Sequence, residues 1–217
     1  MSNWEILCEQ LQHSPPSETL DPIINPIFEQ MLHIPNNITN KQSVWEHTLE
    51  VVDRLYKTTT DIECLFGALV HDVGKAYTPP ELLPHHYGHS ERGIALLNVL
   101  ENDFKLPELV KKLANDVIFY HMRVHGILEI RHPYKLYGLV KGMCNVNVDF
   151  KKLIQICSAD HFSSNEYLQG KFLEQCVSII KNEEYGELDV YKLSDAKKFS
   201  ELLKLKHQEQ LTKIINF

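Results

Sequence analysis

Two adjacent residues of metal-ligand type, His71 and Asp72, end an apolar stretch at residues 65–70, and Lys75 follows shortly after them. Burying an imidazole and a carboxylate without partners is costly, so the pair predicts a site rather than ordinary core packing. Imidazole and carboxylate ligands together suit Mn, Fe, Co, Ni, Zn or Mg, and no thiolate joins them. The pair therefore indicates a divalent-metal centre.

Two further side chains complete the predicted ligand set. His47 lies in the middle of the preceding helical stretch, among apolar residues, and Asp160 follows the apolar run at residues 153–157. Taken alone, His47 fits a hydrogen-bonded core histidine better than a ligand. Asp160 alone fits a polar residue at a helix end equally well. Together with His71 and Asp72, they predict one metal site built from four ligands.

A second group of histidines consists of His89, His121 and His125. His121 and His125 are four residues apart in a helical pattern, so they share one helix face. The group can hold a second ion bridged to the first through Asp72, as in two-metal hydrolases. It can equally bind phosphate or donate protons around a single ion. The sequence leaves one ion and two ions as equal alternatives.

Basic residues near the pair are candidates for binding a phosphate. Lys75 can reach an oxygen opposite the metal, and Arg92 lies in the first turn of a predicted helix, where a surface ion pair is an equal alternative. His85 and His86 lie in a loop rich in proline and histidine and can protonate a leaving group. Solvated loop histidines are the simpler interpretation of that pair.

Composition restricts the class of protein. The 217 residues fit one domain, and 22 basic against 29 acidic residues give a net charge of −7, which argues against duplex DNA as a partner. The five cysteines form no CxxC pair, which favours free thiols in a reducing compartment. The sequence shows neither an apolar stretch of membrane-spanning length nor a secretory leader. We therefore predict a cytoplasmic protein without a membrane partner.

The hydrophobic pattern predicts an all-α fold, a compact helical bundle. Five prolines in the first forty residues predict a wrapping segment at 1–42, followed by a helical domain at 43–217. Ser43 and Glu46 form a capping box, Gly74 is expected as a left-handed helix cap, and Ser90 is expected to cap a helix to Phe104. The further helices are expected at 62–73, 107–125, 133–143, 150–160, 171–181 and 195–215.

These residues, in this order, resemble the HD phosphohydrolase superfamily, and more narrowly the C-terminal HD domain of bacterial CCA-adding tRNA nucleotidyltransferases. The resemblance covers roughly residues 20–165. It depends on six sequence blocks around the predicted ligands: 44–49, 68–75, 78–81, 85–93, 120–125 and 159–160. It implies an HD fold with a metal held by His47, His71, Asp72 and Asp160. It also implies 2′,3′-cyclic phosphodiesterase, 2′-nucleotidase and phosphatase activities supported by divalent metals.

Two departures from that family narrow the expectation. No Gly-Gly/Ser followed by an Asp-x-Asp pair precedes residue 20, so CCA addition is not expected and the HD domain is expected to stand alone. After Asp160 the family continues with a Gly-Arg element, whereas this chain has His-Phe-Ser-Ser at 161–164. The ligand set is intact, but the family's substrate contacts on that side, and with them its tRNA-related specificity, are not expected to carry over to this chain.

The sequence therefore predicts a phosphoesterase in which a metal-held hydroxide attacks phosphorus. The expected substrate is a nucleotide or a cyclic phosphate, with an RNA end as a further candidate. The predicted catalytic residues are Asp72, Lys75, His89 and His121, and the predicted substrate-binding residues are Lys75, His86, Arg92 and His125. Two alternatives stay open: a nucleotide-binding regulatory module without turnover, and a nucleotide triphosphatase or monophosphatase. The oligomeric state is not predicted.

Overall fold

The computed structural model describes residues 1–36, 42–161, 166–181, 194–195 and 197–205. Within those ranges the chain forms nine complete α-helices and no β-strand, so the predicted all-α fold is confirmed. Residues 197–205 are also helical, and the rest of the helix expected at 195–215 lies largely outside the described residues. The helices are α1 (Asn3–Gln12), α2 (Pro26–Met31), α3 (Val44–Tyr56), α4 (Ile62–Val70), α5 (His89–Phe104), α6 (Glu108–His125), α7 (Pro133–Asn145), α8 (Phe150–Asp160) and α9 (Leu168–Ile180).

Short 3₁₀ turns connect several of these helices, at Pro16–Glu18, Pro22–Ile24, Val73–Lys75, Pro80–Leu82 and Ile127–Glu129. The chain divides into two compact units. The first contains residues 1–121 and 151–162, and the second contains residues 122–150 and 163–217. Every side chain of the predicted metal centre except His125 belongs to the first unit. No helix in the described part of the chain is long and apolar enough to cross a membrane.

Helix α3 shows how the local sequence builds the first unit. Ser43 accepts a hydrogen bond from the Glu46 N–H, and the Glu46 carboxylate accepts one from the Ser43 N–H, so the predicted capping box is present. Apolar residues then recur at helical spacing, and this face is buried against α4, whose residues 64–70 are all buried. His47 lies on the same buried face of α3. The packing of α3 against α4 therefore places the His47 imidazole in the interior.

Helix α4 ends earlier than the sequence predicts, and Gly74 does not serve as its left-handed cap. The helix ends at Val70, and Gly74 lies in the 3₁₀ turn Val73–Lys75 without a positive φ. A Cβ at Gly74 would lie 1.8 Å from the His89 carbonyl oxygen and 2.5 Å from the Gly93 nitrogen. The glycine is thus required because two backbones meet there.

The start of α5 also differs from the prediction. Ser90 is the second residue of the helix rather than its cap, and Gly88 occupies the N-cap position with φ 73°. That left-handed conformation is unfavourable for residues with a Cβ, which explains the glycine. The shift places His89 at the first helical position, directly beside the Gly74 turn. The contact between α5 and this turn brings His89 close to Asp72.

Candidate metal centre

Six potential ligands come together in the first unit from five helices and the turn that follows α4. Their positions are His47 on α3, His71 at the end of α4, Asp72 before the 3₁₀ turn, His89 at the start of α5, His121 on α6 and Asp160 at the end of α8. Four of them are at most 6 % exposed, namely His47, His71, Asp72 and His121, whereas His89 and Asp160 are half-buried. Residues far apart in sequence therefore form one buried polar cluster.

His47, His71 and Asp160 form the first ligand group, in which one donor atom of each residue lies within 4.8 Å of the others. His47 Nε2 lies 3.0 Å from Asp160 Oδ1, and His71 Nε2 lies 3.7 Å from the same oxygen. Two imidazoles and a carboxylate are a suitable donor set for a divalent transition metal. Helix α8 thus brings the predicted acid to the two predicted histidines.

Asp72, His89 and His121 form the second ligand group, which meets the same 4.8 Å criterion. The Nε2 atoms of His89 and His121 lie 3.5 and 3.6 Å from Asp72 Oδ1. The other oxygen, Oδ2, lies 3.2 Å from His71 Nε2, which belongs to the first group. The two oxygens of Asp72 therefore face different groups, which is the arrangement of a carboxylate that bridges two sites.

Backbone carbonyls orient three of the histidines. The Nδ1 atoms of His71, His89 and His121 lie 2.7, 3.0 and 3.0 Å from the carbonyl oxygens of Ala68, His86 and Val117. A carbonyl oxygen only accepts, so each Nδ1 carries the donated hydrogen. When such a ring is neutral, its Nε2 therefore offers a lone pair to the cluster. This arrangement is typical of metal-binding histidines in proteins.

Unsatisfied buried atoms support the presence of a ligand at this cluster. Asp72 Oδ1 is buried and makes no hydrogen bond with any described residue, and the buried His71 Nε2 has no partner when its ring is neutral, which is the form that binds metals. Buried polar atoms without a partner carry an energetic penalty, so such atoms call for an ion or another partner. Both atoms face the cluster, where a cation would satisfy them together. The residues present therefore fit the divalent metal that the sequence predicts.

The charges of the cluster shift the protonation of its members. Burial favours the neutral form of His71, but Asp72 and Asp160 outweigh it and raise the pKa of His71 to about 9. Burial likewise opposes ionisation of Asp72, but Lys75 and His71 hold the pKa of Asp72 well below its usual range. Burial is the largest effect at His89 and lowers its pKa to about 4. At neutral pH His89 is therefore neutral, which is the form that binds metals.

Lys75 contacts the centre from the 3₁₀ turn. Its Nζ lies 2.6 Å from Asp72 Oδ2 and donates to Asn36 Oδ1 at 2.9 Å. Asn36 is 7 % exposed and precedes α3, so the segment before the helical domain supplies a buried contact to the site. The sequence alone does not predict this contact of Asn36. An asparagine in a sequence rich in proline and asparagine carries no local signal for such a role.

Thr78 is a second residue near the site whose role the sequence does not predict. Its hydroxyl oxygen lies 2.9 Å from the Lys75 carbonyl, 2.7 Å from His86 Nδ1 and 3.1 Å from Arg92 Nη2. His86 Nε2 lies 2.9 Å from the Pro35 carbonyl, so both ring nitrogens of His86 are engaged. Thr78 therefore connects the loop histidine, the arginine and the lysine turn.

The remaining predicted residues lie in different surroundings. Arg92 also donates to the carbonyl oxygens of Gly74 and Tyr87, so its guanidinium ties the loop to the 3₁₀ turn. Phosphate binding by Arg92 and by His86 stays a prediction.

His85 is exposed and stacks on Tyr87. His125 belongs to neither ligand group, and its Nδ1 lies 3.0 Å from the Tyr167 hydroxyl in the second unit.

Comparison with family models identifies the family of this chain. The model of the HD domain family matches residues 44–164, more than half of the chain. The chain belongs to the HD domain family. The matched range contains all six potential ligands, and the family is one of metal-dependent phosphohydrolases. The HD resemblance seen in the sequence is thereby confirmed.

Similar proteins are described as multifunctional CCA proteins. The one from Methylococcus capsulatus is 45 % identical over 85 residues, covering 39 % of this chain and 20 % of the relative. The one from Nitrosococcus oceani is 42 % identical over 116 residues, with coverage of 52 % and 28 %. The one from Mannheimia succiniciproducens is 33 % identical over 141 residues, with coverage of 59 % and 33 %. This HD chain thus spans a fifth to a third of these relatives, and no solved structure matches it.

Metal binding is expected to release a proton from His71. Because the pKa of His71 is about 9 in the metal-free protein, its imidazole is charged at neutral pH and must become neutral to bind an ion. Affinity should therefore rise with pH, by up to about tenfold per pH unit below that pKa, and fall as the solution is acidified. Calorimetric titration of Mn²⁺ in buffers of different ionisation enthalpy measures both the affinity and the proton release. A pH-independent affinity without proton release would contradict this assignment.

Proposed function

We propose that this HD domain is a phosphoesterase that hydrolyses nucleotide phosphoesters with a divalent metal at the cluster. The proposal depends chiefly on Asp72, whose two oxygens face the two ligand groups at 3.2 Å from His71 and 3.5 Å from His89. Shared carboxylates of this kind hold paired ions in two-metal hydrolases. Neutral His89 and the carbonyl-oriented rings of His71 and His121 agree with that role.

The proposed ligands are His47, His71 and Asp160 for one ion and Asp72, His89 and His121 for a second. A bound ion would lower the pKa of a water molecule and polarise the phosphoryl oxygen. The protein places Lys75 beside this position, with its Nζ 2.6 Å from Asp72 Oδ2. We assign to Lys75 the binding of a non-bridging phosphate oxygen, where its charge stabilises the transition state.

A 2′,3′-cyclic nucleotide is the substrate we propose first, with 2′-nucleotides next. Opening a strained ring requires recognition of one nucleotide only, which suits a centre built within a single small unit. The similar proteins are described as multifunctional CCA proteins, which adds an RNA end carrying a cyclic phosphate as a further substrate to test. A location in the cytoplasm stays part of the proposal.

A substrate panel tests the proposed function. Purified protein is loaded separately with Mn²⁺, Co²⁺, Ni²⁺ or Mg²⁺ and given 2′,3′-cyclic AMP, 2′-AMP, 5′-AMP, dATP and a nitrophenyl phosphodiester. Turnover of the cyclic and 2′ substrates supports the proposal, whereas tripolyphosphate released from dATP indicates a triphosphatase. Tight nucleotide binding without turnover of any substrate would contradict catalysis and favour a regulatory module.

A further inference from the structure

The second unit contains a cavity that the metal centre does not use. Its volume is about 410 Å³, within the range of roughly 300–1,000 Å³ that is usual for small-molecule sites. The wall is formed mainly by apolar and aromatic side chains from the loop before α7, from α7 and α9, and from the helical residues 197–205. These side chains are Ile130, Pro133, Leu136, Phe172, Phe199 and Leu203.

The polar residues of this cavity are basic or neutral. Arg131 and Lys204 line it together with Gln175 and Ser200, and no acidic residue does so in the described part of the chain. Neither Arg131 nor Lys204 forms an ion pair with a described residue. An apolar wall with two cations and two neutral hydrogen-bonding groups is complementary to a molecule with an apolar body and an anionic head.

We propose that the second unit binds an amphipathic carboxylate, a hydrocarbon chain whose acid group is held by Arg131 and Lys204. The apolar chain would lie against Phe172, Phe199 and Leu203, where its burial supplies most of the binding free energy. Charge-assisted hydrogen bonds from the guanidinium would then select an anionic head over a neutral or cationic one. The cavity shares no residue with the metal centre, so this site is independent of the proposed hydrolysis.

Calorimetric titration with three ligands of equal chain length tests this site. Dodecanoate, dodecanol and dodecylammonium are titrated into the full chain, the two ions below their critical micelle concentrations and dodecanol below its solubility. One molecule of dodecanoate is expected to bind per chain. Its affinity should be at least about tenfold higher than that of dodecanol, and dodecylammonium should bind most weakly. Leu203→Trp should abolish binding by filling the cavity, and Arg131→Gln should weaken dodecanoate about tenfold without affecting dodecanol.

Lys135→Gln is the matched control, because Lys135 is exposed on α7 and does not line the cavity. Its affinity for dodecanoate should equal that of the wild type. Absence of binding, equal affinities for dodecanoate and dodecylammonium, or unchanged binding by Leu203→Trp would each overturn the proposal. If Leu203→Trp fails to fold, the affinities of Arg131→Gln for dodecanoate and dodecanol decide whether the site exists. Arg131 is exposed, so its replacement leaves the core intact.

A separate observation assigns a role to Asn36, and this second inference deepens the proposed function. Lys75 Nζ lies between Asp72 Oδ2 at 2.6 Å and Asn36 Oδ1 at 2.9 Å. A cation bound by Asp72 competes with the ammonium for the same oxygen. We infer that Asn36 is a positioning residue, which holds the Lys75 ammonium when Asp72 binds an ion. Asn36 precedes the range matched by the family model, so the model does not include it.

Two substitutions at Asn36 separate hydrogen bonding from packing. Asn36→Leu keeps a similar volume without an acceptor, and Asn36→Asp keeps the acceptor. In the metal-free protein, acetylation of Lys75 followed by mass spectrometry should be several-fold faster in Asn36→Leu, whereas Asn36→Asp should match the wild type. Affinity for Mn²⁺ should fall about tenfold in the leucine variant only.

The acetylation measurement needs no bound metal, so it decides the role of Asn36 even if the proposed phosphoesterase activity is absent. Equal acetylation rates in all three proteins would overturn the inference. Equal losses of affinity in both variants would do the same, because they would indicate a packing effect. Thermal melting of each variant shows that the comparison is made between folded proteins.

Discussion

Replacing Asp72 with asparagine is expected to lower metal-dependent hydrolysis at least about a thousandfold, which corresponds to about 4 kcal/mol of lost transition-state stabilisation. Asparagine keeps the shape of the side chain and removes its charge. Oδ2 lies 3.2 Å from His71 Nε2 and Oδ1 lies 3.5 Å from His89 Nε2, so one substitution affects both ligand groups. Turnover of 2′,3′-cyclic AMP and metal content per chain by elemental analysis measure the effect.

Glu9→Gln is the matched control for this substitution, since Glu9 is an exposed carboxylate on α1. It should keep the turnover and metal content of the wild type. The Asp72→Asn protein is expected to stay folded, because Lys75 retains Asn36 Oδ1 as an acceptor at 2.9 Å. Turnover within tenfold of the wild type, at equal metal content, would show that Asp72 is not an essential ligand.

Replacing Gly74 with alanine is expected to destabilise the protein by about 3 kcal/mol or more, because overpacking against backbone has no side chain to relieve it. The new Cβ would lie 1.8 Å from the His89 carbonyl oxygen and 2.5 Å from the Gly93 nitrogen. The turn must therefore move away from α5, and Asp72 with it. Urea denaturation measures the loss of stability, and calorimetric titration should show weaker Mn²⁺ binding.

Gly138→Ala is the control for Gly74→Ala. Gly138 lies inside α7, and a Cβ there would meet no described atom within 4 Å. Alanine is the better helix former, so this variant should be more stable by about 0.5–1 kcal/mol. Similar changes in both variants would show that the close approach at Gly74 does not limit stability.

Helix positions and most of the candidate ligands could be predicted because their signals are local. The buried face of α3 follows from apolar residues at helical spacing, and its start follows from the Ser43 capping box. His71 and Asp72 are recognisable because two ligand types end a buried helix. The all-α fold and the HD family follow from these patterns, and both are confirmed.

The other features depend on contacts between distant segments. Asn36 reaches Lys75 across 39 positions of the chain, and Arg92 reaches Gly74 across 18. No short-range pattern encodes either contact. The expected left-handed cap at Gly74 was wrong for the same reason: the glycine leaves space for the α5 backbone, and a sequence does not show which backbone comes near.

The directions of the helices have a consequence for charge. Helix α4 ends at Val70 next to His71, and α8 ends at Asp160, so the carbonyl ends of two helix dipoles lie beside the first ligand group. Their partial negative charge favours a cation there. Helix α5 begins at His89 without a side-chain cap, and its amide end favours an anion. The backbone itself therefore favours a cation at the first ligand group, whereas at the second group it favours an anion, such as the proposed phosphate bound beside an ion.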